Sequence, residues 1–291
     1  MNLSVFKIRG TEGHSLILLV AAVLVAVSLS GLTGGCASGP GPDDLVPNQF
    51  SLRLDGDDDH LDLGTISPGD PLMLAGSPFT ISAWFRQESG GDQYQRIIDK
   101  SDEALGRNGW ALGADPNAGM VHFYVHDGAK GADFASRRGL YTTGEWHHLV
   151  AVARADGYEI WLDGEPDTGT WLESGSFTLP ANVATTARIG TWNHAQEREW
   201  DGRLDEIAVW KVDLQRKAIR AIHTSRGRAD LRRNWGHYGA AGHLVGYWRM
   251  GDGPDDGKGN RIRDLSSAGT HGTMMPDPPD NTPAIEPSAF R

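Results

Sequence analysis

Five carboxylates crowd the eight positions from Asp55 to Asp62. Like charges at that density repel unless a cation or turn donors hold them, and calcium suits the need. It takes roughly six to eight oxygens from carboxylates and carbonyls, which loops between strands supply without a fixed linear motif. The competing account is a solvated edge strand whose Asp residues cap turns and deter pairing. A second constellation is Trp192-Asn193-His194 with Glu197, set in a polar stretch between apolar runs. A flat indole stacks on a sugar ring while amide and carboxylate groups bond its hydroxyls, so these four form the candidate ligand edge, with Tyr94 and Trp171 as weaker candidates. In the alternative, Trp192 folds back onto the core. His122 and His126 share one strand face and His147-His148 lie on another run, but the spacing matches no zinc motif, and His148 is expected to serve structure.

The bulk properties narrow the partners. The 291-residue chain carries a net charge of −11 spread along its length, with no basic patch to meet a phosphate backbone, so nucleic acid is not an expected ligand. Its 39% hydrophobic residues and ten Trp are enough for a sizeable core. A single cysteine, Cys36, rules out an internal disulfide.

The surroundings of Cys36 give it another role. Lys7 and Arg9 precede an apolar stretch from Leu16 to Leu29, short for a bilayer crossing and suited to the hydrophobic region of a signal peptide. The stretch ends in Gly31-Leu32-Thr33-Gly34-Gly35-Cys36, which resembles a bacterial lipobox, although Thr33 fills the place where the family carries an apolar residue. The resemblance implies lipidation at Cys36 and a membrane partner through the lipid; ordinary signal-peptidase cleavage or an uncleaved anchor are the alternatives. Ala37 rather than Asp after the cysteine implies, by the same resemblance, the outer membrane of a Gram-negative envelope. The expected organisation is a signal peptide over 1–35 and a Gly/Pro-rich tether over 36–48. A body over 49–275 and a disordered tail over 276–291 follow.

The elements that must position these residues are strands. From Phe50 onward, short runs rich in β-branched and aromatic residues alternate with Gly, Asp and Asn. Glu145 to Ala153 leads through Asp156-Gly157 into Tyr158 to Leu162, a hairpin closed by its Asp-Gly pair. Further strands are expected at Phe79–Phe85, Gln95–Asp99, Gly109–Gly113, Met120–Val125, Arg188–Trp192, Leu204–Trp210 and Leu244–Met250. One helix, Leu214 to His223 capped by Asp213, carries an apolar stripe at helical spacing.

Five motifs then fall in a known order. Ser51-Leu-Arg-Leu-Asp-Gly56, Phe79-Thr-Ile-Ser-Ala-Trp-Phe85, Trp146-His-His-Leu-Val150, Trp161-Leu-Asp-Gly164 and Gly202-Arg-Leu-Asp-Glu-Ile-Ala-Val-Trp210 resemble the signature strands of laminin-G-like and pentraxin-like jelly rolls. The resemblance implies an all-β, two-sheet antiparallel sandwich of the concanavalin A type with one short helix, preceded by a signal-peptide helix. Leu244 to Met250 and the turn to Gly269 are expected to add to the same sandwich. Jelly rolls of this kind often carry calcium, so Asp55, Asp58 and Asp59, with Asp205 from the closing strand and Asp264 from the last turn, form the candidate cation cluster. Retaining endoglucanases share the fold and need two carboxylates about 5 to 5.5 Å apart. Their strand of alternating acids has no counterpart here, since Glu159 and Asp163 stand four apart and Asp163-Gly164 suits a turn. The expected function is therefore binding, not catalysis. The expected partner is a glycan or an envelope protein.

Overall fold

The computed structural model describes residues 40–88, 90–91, 94–102, 108–171, 177–193, 198–276 and 283–288. Cys36, His194 and Glu197 lie outside the described residues, as does the side chain of Trp171. The strands begin with β1 (Phe50–Asp55), β2 (His60–Ile66), β3 (Phe79–Gln87), β4 (Gln95–Asp102), β5 (Asn108–Asp115) and β6 (Met120–Asp127). They continue with β7 (Gly131–Ala135), β8 (His147–Ala153), β9 (Tyr158–Leu162), β10 (Glu165–Asp167), β11 (Thr170–Trp171) and β12 (Thr185–Ile189). The last are β13 (Asp201–Trp210), β14 (Leu244–Trp248), β15 (Arg261–Ile262), β16 (Gly272–Met275) and β17 (Ala284–Pro287), with one α-helix, α1 (Arg216–Ser225), after β13.

Antiparallel pairing sorts the strands into two sheets. One runs β10-β9-β8-β3-β13-β1-β17, with β14 joined to the second half of β13. The other is nine-stranded, in the order β11-β7-β6-β5-β4-β12-β2-β16-β15. Inward side chains of both sheets, among them Leu54, Phe79, Ile81, Phe85, Leu149 and Leu204 against Leu61, Ile98, Trp110, Leu112, Phe123 and Ile189, fill the space between them. Trp84, Trp161, Trp210 and Trp248 are buried as expected, whereas Trp146 precedes β8 and is only half-buried. The Asp163-Gly164 turn between β9 and β10 has both residues at positive φ, 51° and 80°, as a two-residue hairpin needs.

The first sheet is covered over much of both faces, and β3 and β8 are buried along almost their whole length. Its outer face, with Val150, Val152, Trp161, Trp210 and Tyr247, packs under Ala218, Ile219 and Ile222 of α1 and under Leu231, Trp235 and Tyr238 of the segment that follows. The helix starts one residue after Gln215, which provides no side-chain cap. Asp213, expected as the cap, is 2.7 Å from Arg154 Nη1, and that ion pair holds its carboxylate away from the helix end.

Both chain ends of the body are more ordered than expected. The tail was expected to lack structure, yet Ala284–Pro287 pairs with β1 and Ile285 packs on the core, which gives an otherwise open edge a partner. The last part of the tether is also docked. Val46 N–H donates to Arg228 O, Arg249 Nη2 donates to Pro47 O, and Asn48 Nδ2 donates to Asp205, so the packed body starts near Leu45. α1 and the segment after it cover much of the outer face of the first sheet.

Candidate functional site

Period-two alternation decides which side chains leave the core. On β5, Trp110, Leu112 and Ala114 point inward, so Gly109, Ala111 and Gly113 point outward; on β6, inward Val121, Phe123 and Val125 leave His122, Tyr124 and His126 on the outer face. Strand register extends these positions into rows. One row is Asp62, Arg188, Asp99, Ala111, Tyr124 and Asp133 across β2, β12, β4, β5, β6 and β7. The next holds Arg96, Gly113, His122 and Ala135. Small residues on β5 thus separate a charged flank on β4 from an aromatic flank on β6. Gly113 is obligatory, because a Cβ there would fall 2.3 Å from Gln95 O.

Arg96, Asp99, His122, Tyr124 and His126 are all buried although they face away from the core. Asp99 Oδ2 lies 3.1 Å from Arg96 Nε, and its Oδ1 accepts from Ser101 N–H (2.8 Å) and Oγ–H (2.7 Å). Burial pushes its pKa up against the pull of Arg96. His126 stacks on Tyr124 at 4.1 Å, while Tyr94 meets His122 edge to face at 4.6 Å. His122 Nε2 has no hydrogen-bond partner among the described residues. Burial, then Arg96 and Arg198, push its pKa down to about 3. Tyr94 is 38% exposed; with Leu45 it is one of two large apolar side chains exposed among the described residues.

The described ends of the loop after β12 tie into β4 at one end of this face. Gly190 N–H donates to Ile97 O (3.1 Å), Trp200 N–H to Gly190 O (2.7 Å) and Arg96 N–H to Arg198 O (2.9 Å). The Arg198 guanidinium sits 4.1 Å from the centre of the Trp192 ring. Tyr94 and Arg198 both have positive φ, 64° and 61°, a conformation that costs a side-chain-bearing residue about 1–2 kcal/mol. Trp192 is buried at this rim, so it is a support for Arg198 rather than an open stacking platform. Asn193 ties the loop down, its Nδ2 donating to Ser101 O (2.7 Å) and Thr185 Oγ1 (2.9 Å).

The acidic turn lies at the same end of the sheet: it leads into β2, whose Leu61 pairs with Ile189 of β12, which pairs with Ile98 of β4. Gly56, at φ 82°, turns the chain between β1 and β2. Oxygens of Asp55, Asp58 and Asp59 lie within 4.8 Å of one another. Asp59 Oδ2 accepts the Asp55 N–H (3.1 Å) and Asp55 Oδ1 accepts the Asp57 N–H (3.0 Å). Asp58 Oδ1 and Asp59 Oδ1 are buried with no donor among the described residues. Burial and the charges of Asp55 and Asp58 raise the Asp59 pKa to about 6. Clustered hard oxygens, two of them lacking donors, fit a calcium ion.

Two expected members of that cluster serve elsewhere. Asp205 is buried under the helix side of β13, where it accepts from Asn48 Nδ2 (2.9 Å) and Glu206 N–H (2.7 Å). Asp264 closes a turn, accepting from the N–H groups of Tyr247, Ser266 and Thr270 and from Ser266 Oγ–H. Both carboxylates are consumed by backbone and amide donors. The histidine pairs also separate, since His147 bonds Asp163 (2.8 Å) and His148 bonds Ser82 (2.8 Å) on the first sheet, away from His122 and His126. Arg96, Asp99 and Arg198 were not anticipated as site residues. The outward positions of β5 and β6 carried the signal, Gly/Ala on one strand and His/Tyr on the next.

A family model for the concanavalin A-like lectin/glucanases superfamily matches residues 55–220. Among solved structures, a candidate carbohydrate-binding protein from Bacteroides ovatus is 18% identical with a TM-score of 0.55, over 84% of this chain and 63% of that one. A heptameric SAP-like pentraxin from Limulus polyphemus is 15% identical at a TM-score of 0.43, over 60% of this chain and 82% of its own. The CBM40 module of a Ruminococcus gnavus sialidase, solved with α2,3 sialyllactose, is 14% identical at 0.49, over 60% of this chain and 97% of its own. At these identities the Bacteroides likeness speaks to the fold alone. No curated protein matches the chain.

Proposed function

Because this chain belongs to the concanavalin A-like lectin/glucanases superfamily, we propose that it is a carbohydrate-binding module whose ligand surface is the outer face of the nine-stranded sheet. One observation carries the reading: Tyr94, exposed and held at positive φ, stands edge-on over the buried His122, whose Nε2 has no hydrogen-bond partner among the described residues. An exposed ring fixed at a cost, beside a ring nitrogen without a hydrogen-bond partner among the described residues, offers a sugar both a stacking surface and a hydrogen bond. Binding without cleavage is favoured by Asp99, the acid at the centre of the face. Its oxygens are committed to Arg96 and Ser101, which leaves it poorly placed as nucleophile or proton donor.

Two further parts of the proposal rest on their own observations. Asp55, Asp58 and Asp59 would hold a calcium ion, which would neutralise their repulsion and brace the end of the sheet that bears Tyr94. Lipidation at Cys36 would fix the module to a bacterial envelope, which the lipobox-like sequence supports. Docking of a protein through an apolar patch finds less support, since among the described residues only Leu45 and Tyr94 are large, apolar and exposed.

A glycan array probed with the chain from Ala37 onward, followed by calorimetry on the best binder, tests the reading. Tyr94→Ala is expected to weaken binding by about 30-fold, the roughly 2 kcal/mol of an aromatic hot spot, with no loss of melting temperature. Undiminished binding would remove Tyr94 from the site. An array without binders would overturn the glycan reading.

A further inference from the structure

Charge is not spread evenly over the folded chain, although the sequence had suggested no basic patch. Between Lys211 and His237 eight Lys and Arg stand against two Asp, in a chain whose net charge is −11. On α1 the buried positions Ala218, Ile219 and Ile222 face the first sheet, which leaves Arg216, Lys217, Arg220 and Thr224 exposed on the opposite side. Arg226 and Arg228 continue the exposed cations past the end of the helix. The acids on this side are already engaged: Asp230 pairs with Arg232 and Arg233, Glu165 with Arg220, and Asp213 with Arg154. Lys217, Arg226 and Arg228 have no ion pair among the described residues.

The segment that leads back to Cys36 is bound among these residues. Leu45 bridges Ala229, Asp230 N–H donates to Asp44 O (3.1 Å) and Arg233 Nη2 donates to Asp43 O (3.0 Å). Leu45 is exposed there to 38%. From Gly41, five residue steps lead back to Cys36, a reach of about 18 Å at full extension. Resting on the lipid anchor at Cys36 and not on the glycan reading, we propose that this basic face is a second membrane contact, which lies against a bilayer bearing anionic headgroups. The linker keeps the face within roughly two Debye lengths of the surface that holds the anchor. Charges farther away are screened, so the cations of the facing surface outweigh the negative charge of the whole chain. An exposed leucine set among cations suits the boundary between headgroups and acyl chains.

Sedimentation with vesicles tests the face by itself, using the chain from Ala37 onward, which carries the packed body without the anchor. Vesicles of equimolar phosphatidylcholine and phosphatidylglycerol should bind it about 100-fold more tightly than phosphatidylcholine alone, the factor that three cations contribute at an anionic surface. Added salt should erase the margin. Lys217→Glu, Arg226→Glu and Arg228→Glu together should abolish it, and Lys217→Glu alone should reduce it about fivefold. Lys130→Glu, Arg138→Glu and Arg261→Glu together, which reverse exposed cations beside strands of the second sheet, should leave it in place. All variants should keep the parental melting temperature.

Equal binding to the two vesicle compositions overturns the proposal, and so does an equal loss in the two triple variants. Tighter binding to duplex DNA than to the anionic vesicles also overturns it and gives the face to a nucleic acid. Mass spectrometry of the Cys36 peptide from the full-length chain expressed in a bacterium tests the anchor separately. An acylated Cys36 with no vesicle margin overturns the basic contact and leaves the anchor standing. An unmodified Cys36 with the margin intact overturns the anchor and leaves the basic face as the membrane contact.

Discussion

His122 and His148 are buried on different sheets, and in each case burial is the largest cause pushing the ring's pKa down to about 3. Arg96 and Arg198 add to the effect at His122, and His223 adds to it at His148. The unfolded chain takes up a proton at each ring as pH falls through about 6.5, while the folded rings stay neutral until pH approaches 3. Stability is therefore complete above pH 6.5 and is lost progressively below it, on the order of 2 kcal/mol per ring by pH 5. Urea unfolding at pH 7 and pH 5 checks this, and His148→Gln should reduce the slope by close to one proton. An unchanged slope in that variant would show that His148 titrates normally. These residues also mark what the sequence could and could not reveal. The acidic turn was legible because five carboxylates in eight positions are visible as a string. Asp205 and Asp264 were misplaced because the donors that use their oxygens come from Asn48 and from the turn after β14, contacts set only by folding.

Strands were easier to see than the surfaces they make. The Asp163-Gly164 turn follows from turn chemistry, and the hairpin of β8 and β9 was legible in place, although its turn is the four residues 154–157 and neither Asp156 nor Gly157 takes the positive φ of a two-residue Asp-Gly turn. The proposed ligand face was harder, because it depends on register: Arg188, Asp99 and Tyr124 share a row only after β12, β4, β5 and β6 are aligned. β17 was missed for a related reason. A Pro-rich tail gives little sign of strand structure, and Ala284–Pro287 is ordered by the free edge of β1, by Ile285 on the core and by the Arg203–Glu286 ion pair. Ending the chain at Pro276 should therefore lower stability by about 1–2 kcal/mol, mostly from the half-buried Ile285 side chain, measured as a lower urea midpoint. A midpoint that does not move would show that β1 needs no partner on that side.

Across the whole molecule, the two sheets have opposite duties, one sealed beneath α1 and the other bearing the polar rows. Calcium at the β1–β2 turn would act on the body as a unit, since a ligand that binds only the folded chain raises its stability by mass action. At a concentration 100 times its dissociation constant the gain is about 2.7 kcal/mol. Thermal unfolding with calcium and with excess EDTA should differ accordingly, and Asp58→Asn with Asp59→Asn should abolish the difference; equal melting curves for the parent chain would leave the turn as a solvated edge. The docked strap at Leu45–Asn48 has a consequence for presentation. It joins the body on the helix-covered side, at Asp205, Gly227 and Arg228. Eight residues lie between Cys36 and Leu45, and Pro42–Asp44 among them form a 3-10 turn docked on the body, where Asp230 N–H donates to Asp44 O, which leaves a short leash. If the chain is held through Cys36, that leash pulls on the back of the sandwich, so the body would lean its helix toward the lipid and hold Tyr94 out toward whatever drifts past.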